Sequence, residues 1–173
     1  MKNVMEWVKD ILIAVVIAAV ILTFIKPIIV QQQSMEPNFH AGDYLISSRQ
    51  SYKLFGEPQR GDVIVFKSEL LDDNGNEKNL IKRIIGLPGD VIEITDGYVY
   101  VNGEKIQEDY LPGQGISGEM DAITIPENQL FVMGDNREVS EDSRSPRVGT
   151  IDESTIVGKV VLRVYPFNNM KTF

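Results

Sequence analysis

The first pronounced pattern is an uncharged apolar run near the N-terminus, Ile11 to Ile25, which reads ILIAVVIAAVILTFI. Together with Pro27 to Val30, which follow Lys26, the apolar stretch reaches about 20 residues, enough for a helix that spans roughly 30 Å of hydrocarbon. The run is apolar on all sides, unlike a helix that packs on a soluble core. No small residues of a signal-peptide cleavage site follow it. The pattern therefore predicts an uncleaved transmembrane helix.

After residue 30 the pattern changes to short runs of β-branched and aromatic residues, separated by Gly, Pro, Asn and Asp. Such runs are typical of antiparallel strands joined by tight turns, and Asn102-Gly103 is a strong hairpin signal. We therefore predict that residues 1–30 form a terminal stub and a membrane anchor, and that residues 31–173 form a mainly β, antiparallel domain. Lysines flank the apolar run on both sides, so charge alone does not set its orientation.

The composition excludes several classes of protein and of functional site. The chain has 25 acidic and 17 basic residues, a formal net charge of −8, which argues against a nucleic-acid-binding protein. The absence of cysteine excludes disulfides, thiolate zinc sites and a cysteine nucleophile. His40 is the only histidine, so a histidine-based metal site is excluded as well.

Lys82 lies in a predicted strand, Leu80 to Ile85, that carries one cation on each face, Lys82 on one and Arg83 on the other. Periodicity does not tell which face points inward. An inward Lys82 would lose its water shell, which lowers the pKa of the ammonium group and yields a neutral amine able to act as a general base. Arginine cannot do so, because it stays protonated. On this segment alone, a solvated lysine on an edge strand is the simpler interpretation.

Ser34 stands in a polar stretch, QQQSMEPNF, a few residues after the apolar run. A serine nucleophile needs a base within hydrogen-bond distance. His40 is one candidate, although its setting in NFHAGD is typical of a surface turn; Lys82 is the other and would form a serine–lysine dyad. A third stretch, Met133 to Gly149, is rich in Asp, Asn, Arg and Ser and predicts either an ion-paired scaffold or a solvated loop.

The order of these features resembles the type I signal peptidase family, the membrane-bound serine–lysine proteases that cleave signal peptides from exported preproteins. The resemblance rests on the N-terminal anchor followed by SMEP, IKRIIGLPGD and GDNREVSEDSR, and it covers nearly the whole chain. It implies a mainly antiparallel β catalytic domain on the extracytoplasmic side of the cell membrane, held by one transmembrane helix whose N-terminal stub is cytoplasmic, with an apolar surface that rests on the bilayer. The short spacing between the lysine motif and GDNR leaves little room for the large accessory β domain of some members.

The same resemblance implies the site residues. Ser34 corresponds to the nucleophile and Lys82 to the general base, and Ser140 is expected to hydrogen-bond the lysine amine. Asp142 and Arg144 are expected to form the ion pair that holds the site. No metal, organic cofactor or nucleic acid is expected, and the partners implied are preproteins with signal peptides and the lipid bilayer. The residues expected in supporting positions are Arg83, Asp135, Asn136 and Arg137.

One position departs from the family pattern. The residue two before the nucleophile is usually Gly, Ser or Thr, and a hydroxyl there helps the nucleophile's own N–H to form the oxyanion hole; here it is Gln32. We hypothesise that the Gln32 amide, or the Ser34 N–H alone, serves instead. The departure keeps open an alternative, a weak or silent paralogue that acts as a membrane-anchored assembly or binding factor. A soluble, self-cleaving repressor-type peptidase is disfavoured, because the chain has an apolar run and no basic domain.

Overall fold

The computed structural model describes residues 3–54, 56–72, 74–113 and 115–173. They form one long N-terminal helix followed by two antiparallel sheets, which confirms the mainly β fold that the sequence predicts. The helices are α1 (Val4–Phe24) and α2 (Ser51–Leu54), and the strands are β1 (Ile25–Ile29), β2 (Tyr44–Ser48), β3 (Val63–Leu71), β4 (Glu77–Gly86), β5 (Val91–Thr95), β6 (Tyr98–Val101), β7 (Glu104–Lys105), β8 (Met120–Thr124), β9 (Gln129–Met133), β10 (Ile151–Asp152), β11 (Ile156–Tyr165) and β12 (Lys171–Thr172).

Helix α1 is long and apolar enough to cross a membrane: it has 21 residues, its mean hydropathy reaches 2.3, and none of its residues is buried. The helix ends at Phe24, so the predicted extension of the apolar span over Pro27 to Val30 is not helical. Proline explains this difference, because it lacks an N–H and disfavours the helical conformation of the residue before it. The segment instead forms β1, and Val30 is buried in the domain core. The domain boundary at residue 30 stays a prediction.

The first sheet places the lysine motif at its centre. Its strand order is β1-β2-β11-β3-β4-β9-β10, with β12 added to β11. Strand β4 pairs with β3 on one side, where Ile64 lies opposite Lys82, and with β9 on the other, where Met133 lies opposite Arg83. Lys82 is therefore on an interior strand, and its interpretation as a solvated edge-strand lysine is wrong.

The second sheet, with the order β7-β6-β5-β8, occupies the chain between the lysine motif and GDNR. Its apolar side chains pack in one cluster with Ile85, Phe131 and Met133 of the first sheet. Gly86 allows this close approach, because a Cβ at that position would lie 2.9 Å from the Ile92 side chain. The sheet is small, as the short spacing in the sequence predicts.

Candidate active site

Ser34 belongs to a compact turn between β1 and β2, which we call the nucleophile turn (residues 33–39). Glu36 N donates to Gln33 O at 3.1 Å and Phe39 N donates to Met35 O at 2.9 Å. Met35 and Phe39 are almost fully buried, at 1% and 0% exposure, in a cluster with Leu45, Val63, Val65 and Val160. Two apolar side chains of the turn therefore fix its position on the sheet.

The Ser34 hydroxyl meets the lysine of β4. Lys82 Nζ lies 2.7 Å from Ser34 Oγ, and both residues are buried. The side chain of His40, the other candidate base, is exposed and hydrogen-bonds no residue that the structure describes. Of the two pairings left open by the sequence, the geometry forms the serine–lysine dyad.

Burial determines the protonation of Lys82, which is 1% exposed. Desolvation lowers the pKa of Lys82 to about 8; the negative charge of Asp142 opposes this shift, and the positive charge of Arg144 adds to it. An ordinary lysine titrates near 10.5. The buried amine is therefore partly neutral at near-neutral pH, as a general base must be.

Arg83, on the opposite face of β4, is also buried, because both faces of the strand are covered. Its guanidinium binds Asp135 through two hydrogen bonds, Nε to Oδ1 at 2.8 Å and one terminal nitrogen to Oδ2 at 2.6 Å. Another of its nitrogens donates to Gly61 O at 2.9 Å. This paired, planar contact joins β4, directly beside Lys82, to the stretch GDNREVSEDSR (residues 134–144), which we call the GDNR segment.

Asp142 and Arg144 form the ion pair expected from the resemblance. Arg144 Nε donates to Asp142 Oδ1 at 2.8 Å and a terminal nitrogen donates to Oδ2 at 2.9 Å, while Gly134 N also donates to Oδ2 at 2.9 Å. Asp142 is completely buried, which alone would raise the pKa of its carboxyl group, but the hydrogen bonds and the charge of Arg144 outweigh burial and lower that pKa. The carboxylate stays charged and holds its loop against Gly134.

The GDNR segment touches the nucleophile turn directly. Asn136 N donates to Ser34 O at 3.0 Å, and Asn136 Nδ2 donates to Gln33 O at 3.2 Å. Gly134 leaves no room for a side chain, since a Cβ there would lie 2.4 Å from Ser34 O and 2.2 Å from Ser140 Oγ. Ser140 Oγ is shielded from solvent and makes no hydrogen bond with any described residue, so the expected bond to the Lys82 amine is not formed.

Several partners of these residues carry no signal in the sequence. Arg137 pairs with Glu108, which also accepts a hydrogen bond from the Tyr110 hydroxyl at 2.5 Å. The Tyr110 ring lies 3.9 Å from the Arg83 guanidinium. Asn38 donates to Asp135 and to the Tyr110 carbonyl. Glu108, Tyr110 and Asn38 themselves carry no motif that predicts these contacts, which bring together segments far apart in the chain.

A groove with a volume of about 350 Å³ leads to the dyad. One wall is formed by the chain from Lys26 to Gln32 and the other by Asn79 to Ile81, and Ser34 lies within it. Gln32 is exposed on this groove, and its side chain makes no hydrogen bond with the described part of the chain. Among the described residues, no group of three or more His, Asp or Glu side chains could hold a metal ion. The arrangement brings together a serine hydroxyl, a buried amine and an open groove, a combination that is chemically suited to acyl transfer.

Comparison with known proteins identifies the family of the chain. Residues 4–165 match the family model described as signal peptidase, peptidase S26. The chain is 37% identical to a signal peptidase I of Bacillus licheniformis, over 98% of this chain and 93% of the relative, and 37% identical to signal peptidase I S of Bacillus subtilis strain 168, over 98% and 94%. The crystal structure of a signal peptidase I from Enterococcus faecalis V583 aligns with a TM-score of 0.50 at 32% identity, covering 60% of this chain and 96% of that one. This chain therefore belongs to the signal peptidase family, peptidase S26.

Proposed function

We propose that this protein is a membrane-anchored serine endopeptidase that removes N-terminal signal peptides from exported preproteins, with Ser34 as nucleophile and Lys82 as general base. The observation that carries the proposal is the 2.7 Å contact between the Ser34 hydroxyl and a buried lysine amine. Relatives named signal peptidase I, aligned over nearly the whole chain, support the substrate class.

In the first half of the reaction, neutral Lys82 Nζ accepts the Ser34 proton while Oγ attacks the scissile carbonyl carbon. The C–N bond then breaks, the Lys82 ammonium gives its proton to the leaving amine, and an acyl-enzyme ester remains. In the second half, Lys82 takes a proton from water as the water oxygen attacks the ester. That proton returns to Ser34 Oγ when the new carboxyl end leaves, so the lysine finishes neutral.

The negative charge that develops on the carbonyl oxygen needs hydrogen-bond donors. The Ser34 N–H donates to no described residue, so it is free for this role. We propose that the Gln32 carboxamide supplies a second donor. Its exposure on the groove, two residues before the nucleophile, and its freedom from other hydrogen bonds in the described structure support this assignment.

The substrate is proposed to lie extended in the groove as an added strand. Strand β1 is the outer strand of its sheet, and β4 pairs with β9 only from Arg83 onward, so Asn79 to Ile81 have a free edge on that side. Both walls of the groove, Lys26 to Gln32 and Asn79 to Ile81, lead toward Ser34 and Lys82. A peptide that lies between the two walls would form main-chain hydrogen bonds to both of them and place its scissile carbonyl at Ser34.

Anchoring fits a substrate that is itself held in the bilayer. Helix α1 leads into β1 without a linker, and tethering enzyme and substrate to one surface raises their effective concentration. An exposed aromatic group supports contact of the β domain with the membrane: Tyr44, Tyr165 and Phe167 stack edge to face and are 46%, 47% and 77% exposed. Tyrosine is enriched at membrane interfaces. The domain is proposed to lie on the extracytoplasmic side, where preproteins emerge.

The test is incubation of the detergent-solubilised full chain with a preprotein that carries a signal peptide, with the product's new N-terminus read by mass spectrometry. The wild type is expected to cut at one site after the signal peptide, and Ser34→Ala and Lys82→Met are expected to lose cleavage. Ser117→Ala and Lys67→Met, which change exposed residues of the same types, are expected to retain it. Cleavage by folded Ser34→Ala would refute the assignment.

The same variants decide the alternative of a silent, membrane-anchored assembly or binding factor. If the wild type cuts no preprotein and Ser34→Ala supports the cellular role as well as the wild type does, the alternative is correct. The preformed dyad argues against it, because a protein with no hydrolytic role has no need to bury a lysine beside a serine.

A further inference from the structure

Asn38, which lies at the far end of the nucleophile turn, joins that turn to the ion pair beside Lys82. Its Nδ2 donates to Asp135 Oδ2 at 2.9 Å and to Tyr110 O at 2.8 Å. Asp135 is 1% exposed and holds Arg83, the residue that follows Lys82 in β4, through the two hydrogen bonds described above. The Asn38 carboxamide thereby links the turn that carries Ser34, through Asp135 and Arg83, to the strand that carries Lys82.

Both hydrogens of the amide are used, which explains why this position needs asparagine. A carboxamide nitrogen has two donors, whereas a threonine hydroxyl has one and an ionised aspartate has none. The two acceptors belong to different parts of the fold, Asp135 in the GDNR segment and Tyr110 in the connection between β7 and β8 of the second sheet. Asn38 therefore connects three segments of the chain at a single side chain.

The backbone at Asn38 is held from the other side by Arg163, which is 3% exposed. One terminal nitrogen of Arg163 donates to Asn38 O at 2.6 Å and to Asp43 Oδ2 at 3.1 Å, and Nε donates to Asn169 O at 2.8 Å. Hydrogen bonds therefore hold both the carbonyl and the side chain of Asn38. Because Asn38 belongs to the nucleophile turn, these bonds also restrain the turn.

The turn meets the GDNR segment at two places, four residues apart. At its start, Asn136 N donates to Ser34 O and Asn136 Nδ2 donates to Gln33 O; near its end, Asn38 Nδ2 donates to Asp135. Met35 and Phe39 hold the turn on the sheet, and the Asn38 contact adds a second attachment to the GDNR segment that opposes rotation of the turn about Ser34. Rotation of the turn would move Ser34 Oγ away from Lys82, because Lys82 is fixed in the centre of the sheet.

We propose that Asn38 is a positioning residue of the proteolytic reaction, which holds Ser34 Oγ within hydrogen-bond distance of Lys82 Nζ by tying the nucleophile turn to Asp135. The inference rests on the proposed function for its effect on kcat, whereas its effect on the distance from Ser34 Oγ to Lys82 Nζ does not depend on that function. Asn38 does not line the described part of the groove, so its loss should affect the reacting geometry and not substrate affinity.

The kinetic test compares Asn38→Ala and Asn38→Asp with the wild type on a preprotein substrate, in detergent and well below all unfolding midpoints. Asn38→Ala is expected to lower kcat about 10- to 100-fold, as small misplacements of reacting groups do, while KM changes less than about twofold. Asn38→Asp is expected to lower kcat at least as much, since its carboxylate faces that of Asp135.

The control is Asn102→Ala, which removes hydrogen bonds to Asp90 and Val91 in the second sheet and strains a position with φ of 55°. It lowers stability away from the dyad and is expected to keep the wild-type kcat. If Asn38→Ala keeps the wild-type kcat, or if kcat falls no further than in a control of equal stability, the inference is overturned.

A crystal structure of Asn38→Ala gives a result that does not depend on activity. The distance from Ser34 Oγ to Lys82 Nζ is expected to exceed hydrogen-bond range; a distance that stays at 2.7 Å would overturn the proposal. A wild type that cuts no preprotein would instead refute the proposed function, and the crystallographic distance would still decide the role of Asn38.

Discussion

Lys82 Nζ and Ser34 Oγ lie 2.7 Å apart although 48 residues separate them in the chain. Two unrelated features produce this contact. Strand β4 is covered on both faces, so its lysine is almost completely buried, and the nucleophile turn is fixed by the buried side chains of Met35 and Phe39. The fold thus supplies an amine of lowered pKa and a hydroxyl held against it.

The pH dependence of cleavage reports the protonation of Lys82. Because burial lowers its pKa to about 8, kcat/KM is expected to rise with pH, with a midpoint near 8, and to level off where the amine is fully neutral. Rates measured on a substrate that does not titrate in this range check the expectation. Lys82→Arg, which cannot deprotonate, is expected to be inactive at every pH. A profile that is flat from mildly acidic to alkaline pH would contradict a titrating lysine base.

Burial of the same amine lowers stability. The pKa of Lys82 is lowered in the folded chain to about 8, so between pH 8 and 10.5 the unfolded chain binds more protons and stability rises with pH. The shift corresponds to about 3 kcal/mol. Lys82→Met is therefore expected to be more stable than the wild type at pH 7 in urea unfolding, by up to about 3 kcal/mol, and the difference should shrink as pH rises through this range.

The exposed lysine of β3, Lys67, provides the control for that measurement. Lys67→Met removes a charge of the same kind from the surface and is expected to change the free energy of unfolding by less than about 0.5 kcal/mol at any pH. If Lys82→Met is as stable as, or less stable than, the wild type at pH 7, burial of the Lys82 amine costs no free energy of desolvation. Burial could then not be the cause of a lowered pKa.

The sequence predicts short antiparallel strands, and the family resemblance implies the dyad residues and the Asp142–Arg144 pair, because each lies in a run whose composition or motif is local. It does not predict that both faces of β4 are covered: alternation allows Lys82 or Arg83 to point inward, and the structure buries both. Periodicity describes one strand, whereas coverage depends on which sheet or loop packs against each face.

The contacts of Asn38 and Arg163 also cannot be predicted from the sequence. Each joins segments far apart in the chain, 97 residues for Asn38 with Asp135 and 125 residues for Arg163 with Asn38. Such pairs depend on strand order and register, which no local pattern encodes. The end of α1 was different, since Pro27 gave a local reason to stop the helix before the apolar run itself ended.

Gly134 is expected to be intolerant of any side chain. A Cβ would lie 2.2 Å from Ser140 Oγ and 2.4 Å from Ser34 O, so Gly134→Ala must displace the nucleophile turn. We expect kcat/KM to fall by about 100-fold or more, with a loss of roughly 1–3 kcal/mol in stability from overpacking. Gly115→Ala, where the nearest atom is 3.6 Å away, is the matched control and should retain activity. Equal rates for the two variants would show that the turn adapts.

Arg144→Met would leave the buried carboxylate of Asp142 without its cation. The free energy of unfolding at pH 7 is expected to fall by about 3 kcal/mol, whereas Arg147→Met, which breaks an exposed pair with Glu141 at 3.6 Å, should cost less than about 1 kcal/mol. Since the ion pair lowers the pKa of Asp142 below 3.8, the wild type loses this stability as pH falls through 3.8 and below. The difference between wild type and Arg144→Met should therefore shrink in acid; a difference independent of pH would contradict the linkage.

Gln32 tests how the oxyanion is stabilised in a chain that lacks a small or hydroxyl residue at this position. If its amide donates to the carbonyl oxygen of the intermediate, Gln32→Ala should lower kcat about 100-fold, the usual effect of one lost donor, with little change in KM. Gln32→Glu, which replaces the donor by a negative charge of nearly the same shape, should lower kcat further. Gln107→Ala changes an exposed glutamine that does not line the groove and should cleave at the wild-type rate. If Gln32→Ala keeps the wild-type kcat, the Gln32 side chain makes no contact that is specific to the transition state. The Ser34 N–H would then be the oxyanion donor that the described chain provides.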